Sequence, residues 1–134
     1  MIVSDTNLVA YFVIPGSFTP QAQAVFAKDS DWAVPALWRS EFRSVLWQHL
    51  RAGQLTMPQA LRAMQFAETL FPPRREYPID SATVLSLAAS SNCSPYDCEF
   101  VYVAMTLGCP LVTADKKLLA SFPGTALSFE DFTR

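Results

Sequence analysis

Met1-Ile2-Val3-Ser4-Asp5-Thr6-Asn7-Leu8-Val9-Ala10-Tyr11-Phe12-Val13 reads as a short apolar strand, an acid, and then a short helix stopped by Pro15-Gly16. The same order returns near the other end, where Asp115 closes the apolar run Pro110-Leu111-Val112-Thr113-Ala114 and a helix is expected from Lys116 to about Phe122. Strands that are apolar without alternation belong to parallel sheets buried on both faces. In such open α/β sheets ligands gather beyond the carboxyl ends of the strands, which is where Asp5 and Asp115 fall.

Between these ends the punctuation is regular. Thr19-Pro20 opens a helix to about Lys28, with Thr19 as cap and Pro20 at the first helical position, and Trp32-Ala33-Val34 follows as a second strand. Leu37, Phe42, Val45, Leu46 and Leu50 make a helical stripe from Ala36 to about Ala52, and Gly53 stands where a left-handed cap is expected. Thr56 starts a helix to about Leu70, so the two should form an antiparallel hairpin. Pro72-Pro73 breaks the chain, and Glu76-Tyr77-Pro78-Ile79 suits an edge strand because its proline cannot serve in a central one. Asp80 can cap a helix to about Ser90, and Ser94-Pro95 opens another ending near Gly108. A final strand is expected from about Ala126 to Phe129. Strands alternating with helices predict an α/β fold, a central parallel β-sheet of four to five strands flanked by helices. One domain spanning 1–134 is expected, since that length is near the commonest domain size.

Four acids are aimed inward by this arrangement: Asp5, Glu41, Asp97 and Asp115. Taken singly, Asp5 and Asp115 read equally well as helix caps, and Asp97 as an acid in the first turn of its helix. Orientation separates two of them from that account. Asp97 shares a helical face with Phe100, Val101 and Ala104, and Glu41 lies among Leu37, Trp38 and Val45. Carboxylates on core-facing stripes need an ion or a basic partner. A group of oxygen ligands suits a hard divalent cation such as Mg2+ or Mn2+, and without one the charges would repel and resist ionising. Asp5 and Asp97, short side chains fixed near the backbone, are the expected direct ligands, with Glu41 and Asp115 acting through water or on the nucleophile. Thr6, Asn7 and Thr113 can orient the carboxylates, and Glu99 stands at the rim or in solvent.

Composition narrows the function classes. The net charge of −2 and a pI near 5.2 provide no global attraction for nucleic acid, so RNA contacts must come from local groups. Arg39, Arg43 and Lys116 are the candidates for an RNA backbone. Cys93, Cys98 and Cys109 are odd in number and lack zinc spacing, so free thiols are expected, and His49 reads as an ordinary helix residue. No Gly-x-Ser-x-Gly elbow supports a serine hydrolase. A phosphorelay receiver needs an Asp after its middle strand, and none lies between Asp31 and Asp80; a haloacid-type phosphatase needs Asp-x-Asp where Asn7 takes the third place. No apolar run approaches the roughly 18 residues that span a membrane. The amino terminus carries Asp5 and no basic segment, so no signal peptide and a cytoplasmic setting are expected.

Val3-Ser4-Asp5-Thr6-Asn7, Trp38-Arg39-Ser40-Glu41-Phe42, Ser94-Pro95-Tyr96-Asp97-Cys98-Glu99-Phe100-Val101 and Leu111-Val112-Thr113-Ala114-Asp115-Lys116-Lys117-Leu118 together resemble the successive signatures of PIN-domain nucleases. Each motif is short; the ordered set is specific and spans nearly the whole chain. A lone domain of this size most resembles the VapC-type toxins of toxin–antitoxin pairs. That resemblance implies a Mg2+-dependent endoribonuclease whose catalytic residues are Asp5, Glu41, Asp97 and Asp115, an RNA substrate, a homodimer, and a cognate antitoxin. The alternatives are an RNA-processing nuclease outside such a pair and a non-enzymatic PIN-like module that binds RNA or protein. Composition adds to the dimer expectation: 51% apolar against 16% charged residues is much for one small domain to hide. The hairpin from Ala36 to Leu70 holds the excess in Trp47, Leu55, Met57, Leu61, Met64, Phe66 and Leu70.

Overall fold

The computed structural model describes residues 1–134. Five parallel strands form one sheet: β1 (Ile2–Ser4), β2 (Trp32–Pro35), β3 (Glu76–Tyr77), β4 (Leu111–Val112) and β5 (Ala126–Leu127), in the order β3-β2-β1-β4-β5. The chain leaves β1 toward β2 and β3, then returns to β4 and β5 on the other side. The switch of direction therefore lies between β1 and β4, the place where open α/β sheets bind ligands. Register does the rest. Ser4 pairs with Val112, so the next residues on each strand, Asp5 and Thr113, leave the sheet side by side.

The helices are α1 (Thr6–Val13), α2 (Thr19–Lys28), α3 (Trp38–Arg51), α4 (Met57–Leu70), α5 (Ser81–Ala89), α6 (Pro95–Leu107), α7 (Lys116–Ser121) and α8 (Phe129–Thr133). Local chemistry sets most of their ends. Thr56 and Gln59 form a reciprocal capping box on α4. Ser94 accepts the Asp97 N–H at the start of α6, whose last turn is closed by Gly108 at φ 64°. That left-handed angle favours glycine, as does the φ of 71° at Gly53 after α3. α6 lies along β1, β2 and β4 with α5 packed on it, while α1 meets α2, α3 and α4.

A single apolar cluster joins the layers. Trp32, Trp38, Phe42 and Phe71 are its largest fully buried members, each contributing roughly 1.5–3 kcal/mol by removal of apolar surface from water. Trp38 and Phe42 fix the inner face of α3 and so fix where Glu41, between them in sequence, can point.

Two expectations are corrected. The last strand ends at Leu127, and Phe129 begins a helix, because Ser128 accepts the Asp131 N–H at 3.0 Å and caps α8. Thr19 does not cap α2 either. Its hydroxyl accepts the Gly16 N–H at 2.9 Å and donates to the Tyr11 carbonyl at 2.8 Å, so it ties the Pro15–Gly16 turn back onto α1.

Candidate active site

Asp5 is buried at the carboxyl end of the central strand. One carboxylate oxygen accepts the Leu8 N–H at 2.8 Å, which caps α1, and the other accepts the hydroxyl of Thr113. The cap reading and the inward reading of Asp5 are thus both true, one for each oxygen. Thr113 in turn accepts the Asp115 N–H at 2.9 Å, and Asp115 caps α7 through the N–H groups of Lys117 at 2.8 Å and Leu118 at 3.1 Å. A chain of hydrogen bonds therefore links β1 to the start of α7 through Thr113.

Two further walls bring in the other acids. Glu41, half-buried in the first turn of α3, accepts the Thr6 hydroxyl at 2.6 Å. Asp97, in the first turn of α6, is intermediate in exposure. Asp5, Thr6, Asn7, Glu41, Asp97 and Asp115, with Phe100 and Leu118, line one cleft of about 140 Å³. All four acids singled out along the chain share that space. Glu99 stands outside the lining.

Electrostatics carries the mark of crowding. Burial pushes the Asp5 carboxyl up from 3.8 to about 6; the bonds from Thr113 and Leu8 hold it down, and the charges of Asp115 and Glu41 push it further up. Glu41 is also raised, chiefly by burial, with Thr6 opposing and Asp97 adding to the shift. Glu99 is raised by burial and then by the charge of Glu41, so it feels the cleft from its edge. Desolvated carboxylates near like charges are relieved by a cation. An all-oxygen donor set, without histidine or thiol in the lining, fits a hard divalent ion such as Mg2+. No three acidic side chains converge tightly enough to form a closed shell. Asp5 and Glu41 turn oxygens toward Thr113, Leu8 and Thr6 instead.

The three basic residues differ in placement. Arg39 binds Glu76 through two nitrogens, at 3.0 and 2.5 Å, and Glu68 at 2.9 Å, so its guanidinium is committed to fastening α3 to β3 and α4. Arg43 stands one turn on from Arg39 and donates to the Ser40 hydroxyl at 3.2 Å. At 3.6 residues per turn, both lie on the opposite edge of α3 from Glu41. Local spacing sets both away from Glu41 but does not show the partners of Arg39. Lys116 is exposed next to Asp115 at the head of α7. Among the cysteines, Cys93 and Cys98 are buried free thiols and Cys109 is only partly covered.

Sequence reading left one neighbouring feature unmarked. Asn7 also lines a second cavity, together with Tyr11, Phe18, Gln48 and His49. An aromatic in the turn Pro15-Gly16-Ser17-Phe18 was the available signal.

Comparison with known proteins gives a family and a shared fold. A family model described as the PIN domain matches residues 2–122. A relative named Exonuclease VapC9, from Pyrobaculum aerophilum, is 32% identical over 84 residues, 63% of this chain and 62% of that relative, so the match spans somewhat less than two thirds of its length. Ribonuclease VapC3 of the same organism is 24% identical over 124 residues, 91% of this chain and 95% of the relative. The fold is shared with the crystal structure of PAE2754 from Pyrobaculum aerophilum, at TM-score 0.77 and 22% identity over 98% of this chain and 85% of that one. It is shared too with FitAcB from Neisseria gonorrhoeae, at TM-score 0.74 and 17% identity over 97% and 99%.

Proposed function

Because the chain belongs to the PIN-domain family, we propose that it is a divalent-metal-dependent endoribonuclease and the toxin of a toxin–antitoxin pair. One observation carries the enzymatic part: Asp5, Glu41, Asp97 and Asp115, drawn from four separate segments, line a single cleft at the switch point of the sheet. Two of these carboxyls are pushed toward neutrality, a state that bound Mg2+ or Mn2+ would relieve.

Asp5 and Asp97 would hold the cation, with Glu41 and Asp115 reaching it through water. When bound, the ion supplies positive charge against the phosphodiester and lowers the pKa of water beside it. The chain's own groups do the remainder. Thr113 and the Leu8 N–H keep Asp5 in one rotamer, and Thr6 does the same for Glu41. Glu41, held by Thr6 at the cleft wall, would take a proton from the attacking water. The water oxygen then forms the new bond to phosphorus, one ester P–O bond breaks, and the departing oxygen takes a proton from solvent. Lys116, exposed and next in sequence to Asp115, is the remaining candidate for a phosphate contact.

The partner reading rests on a different surface. Trp47, Met57, Leu61 and Phe66 are exposed on the α3–α4 hairpin, each 48% or more accessible. Met57 and Leu61 stand one turn apart on α4, and exposed apolar surface of this kind marks interaction sites, which supports a homodimer and an antitoxin helix sharing that hairpin. No helix is long and apolar enough to cross a membrane.

Incubation of the purified protein with RNA tests the proposal. Cleavage in Mg2+ or Mn2+ is expected, with loss in EDTA and in Asp5→Ala, Glu41→Ala, Asp97→Ala and Asp115→Ala. Expression in a bacterial host should slow growth, and each variant should restore it. Intact RNA with either metal, and normal growth, would leave the non-enzymatic module as the better reading.

A further inference from the structure

The second cavity encloses about 320 Å³ between α1, the turn before α2, and α3. That is within the range of roughly 300–1,000 Å³ typical of small-ligand sites. It adjoins the acid cleft directly, because Asn7 lines both. Its chemistry is different. No Lys, Arg, Asp or Glu contributes to its walls, so it carries none of the permanent charges that a second phosphate would call for.

The walls suit a flat, neutral, heteroaromatic guest. Phe18 is 50% exposed, and its inner face is stacked on Tyr11 with ring centroids 4.8 Å apart and planes 28° from parallel. Phe18 borders this cavity and also one lined by Gln21, Ala24 and Phe129. The platform is also held in advance, since the Thr19 hydroxyl locks the turn carrying Phe18 to both Gly16 and the Tyr11 carbonyl. Gln48, exposed on α3, and Asn7 on α1 each present an amide donor and acceptor to the space. His49 meets the Val45 carbonyl at 2.9 Å through Nδ1; a carbonyl only accepts, so Nδ1 carries the proton and Nε2 is left for the cavity.

We propose that this cavity is a nucleobase subsite. It takes the base flanking the phosphate held in the acid cleft, with Phe18 stacking on that base and Asn7 and Gln48 bonding its edge. The proposal rests on the nuclease reading above. Unstacked bases of single-stranded RNA are recognised in this way, by an aromatic face and amide contacts to the edge.

The test compares the parent with Phe18→Ala, Phe18→Trp and Gln48→Ala. Binding of a fluorescent single-stranded RNA is measured in EDTA, and cleavage positions in an RNA pool are mapped in Mg2+. Loss of stacking should weaken binding and raise KM by about 5- to 150-fold in Phe18→Ala. Phe18→Trp, which restores a platform, should recover both. Gln48→Ala should flatten the nucleotide preference beside the cleaved bond. Parental affinity, KM and cleavage preference in Phe18→Ala and Gln48→Ala overturn the subsite while the nuclease reading stands. The subsite is equally overturned if those variants lose only a protein partner. A parent that neither cuts nor binds RNA overturns the nuclease reading, and the subsite with it.

Discussion

Replacing Asp5 by Asn removes the buried charge at the centre of the cleft while keeping the side chain's size and its acceptor for the Leu8 N–H. The Asp5 carboxyl rises from 3.8 to about 6 on folding. A raised carboxyl pKa means that the folded state binds the proton more tightly than the unfolded one. Stability from this group is therefore complete below about pH 4 and falls as pH rises through about 6. At 1.36 kcal/mol per unit, the ionised form costs about 3 kcal/mol above that window in metal-free buffer. Asn escapes the cost. It leaves the Thr113 hydroxyl proton without its acceptor, a loss of about 1 kcal/mol. The net gain for Asp5→Asn is then about 2 kcal/mol near pH 7.5, or about 6–10 °C in Tm for a domain of this size. Urea and thermal unfolding in EDTA, near pH 7.5 and near pH 4.5, measure it. The gap should shrink at the lower pH, where the parent's Asp5 is largely protonated. A variant less stable than the parent near pH 7.5, or a gap independent of pH, would refute the reasoning.

Other outcomes follow from the same structure. Millimolar Mg2+ or Mn2+ should raise the parent's Tm, adding about 2.7 kcal/mol at 100 times the dissociation constant, and should do little to Asp5→Asn with Asp97→Asn; a metal-insensitive melting curve in the parent counts against the site. Arg39→Ala should cost about 1 kcal/mol in urea titration, since its bonds to Glu76 and Glu68 are partly exposed, and should leave RNA binding unchanged; a selective loss of RNA affinity would return Arg39 to the substrate path. Light scattering at micromolar concentration should give a dimer mass, and Leu61→Lys on the exposed face of α4 should shift it toward monomer. A monomeric parent would remove the dimer and leave a partner helix as the only cover for that face.

Local chemistry made much of the architecture legible. Thr56, Asp80 and Ser94 cap α4, α5 and α6, and Gly53 and Gly108 take left-handed angles, because caps and stops are settled within a few residues of the chain. Glu41 and Asp97 were legible as anomalies, acids placed on apolar helical faces. Long-range facts were not. The bond from Thr113 to Asp5 joins residues 108 apart and exists because β1 and β4 pair with Ser4 opposite Val112. Arg39 looked free for a phosphate until β3 and α4 brought Glu76 and Glu68 to it. Phe18 carries no sequence signal beyond its turn; packing alone sets Tyr11 against its ring and brings Gln48 and His49 to the same cavity. Residue type and near neighbours determine where a helix begins and which side chain is out of place on it. Which carboxylate is buried, which cation is already paired, and which ring lines a cavity depend on strand register and packing between distant segments, and only the tertiary structure decides those.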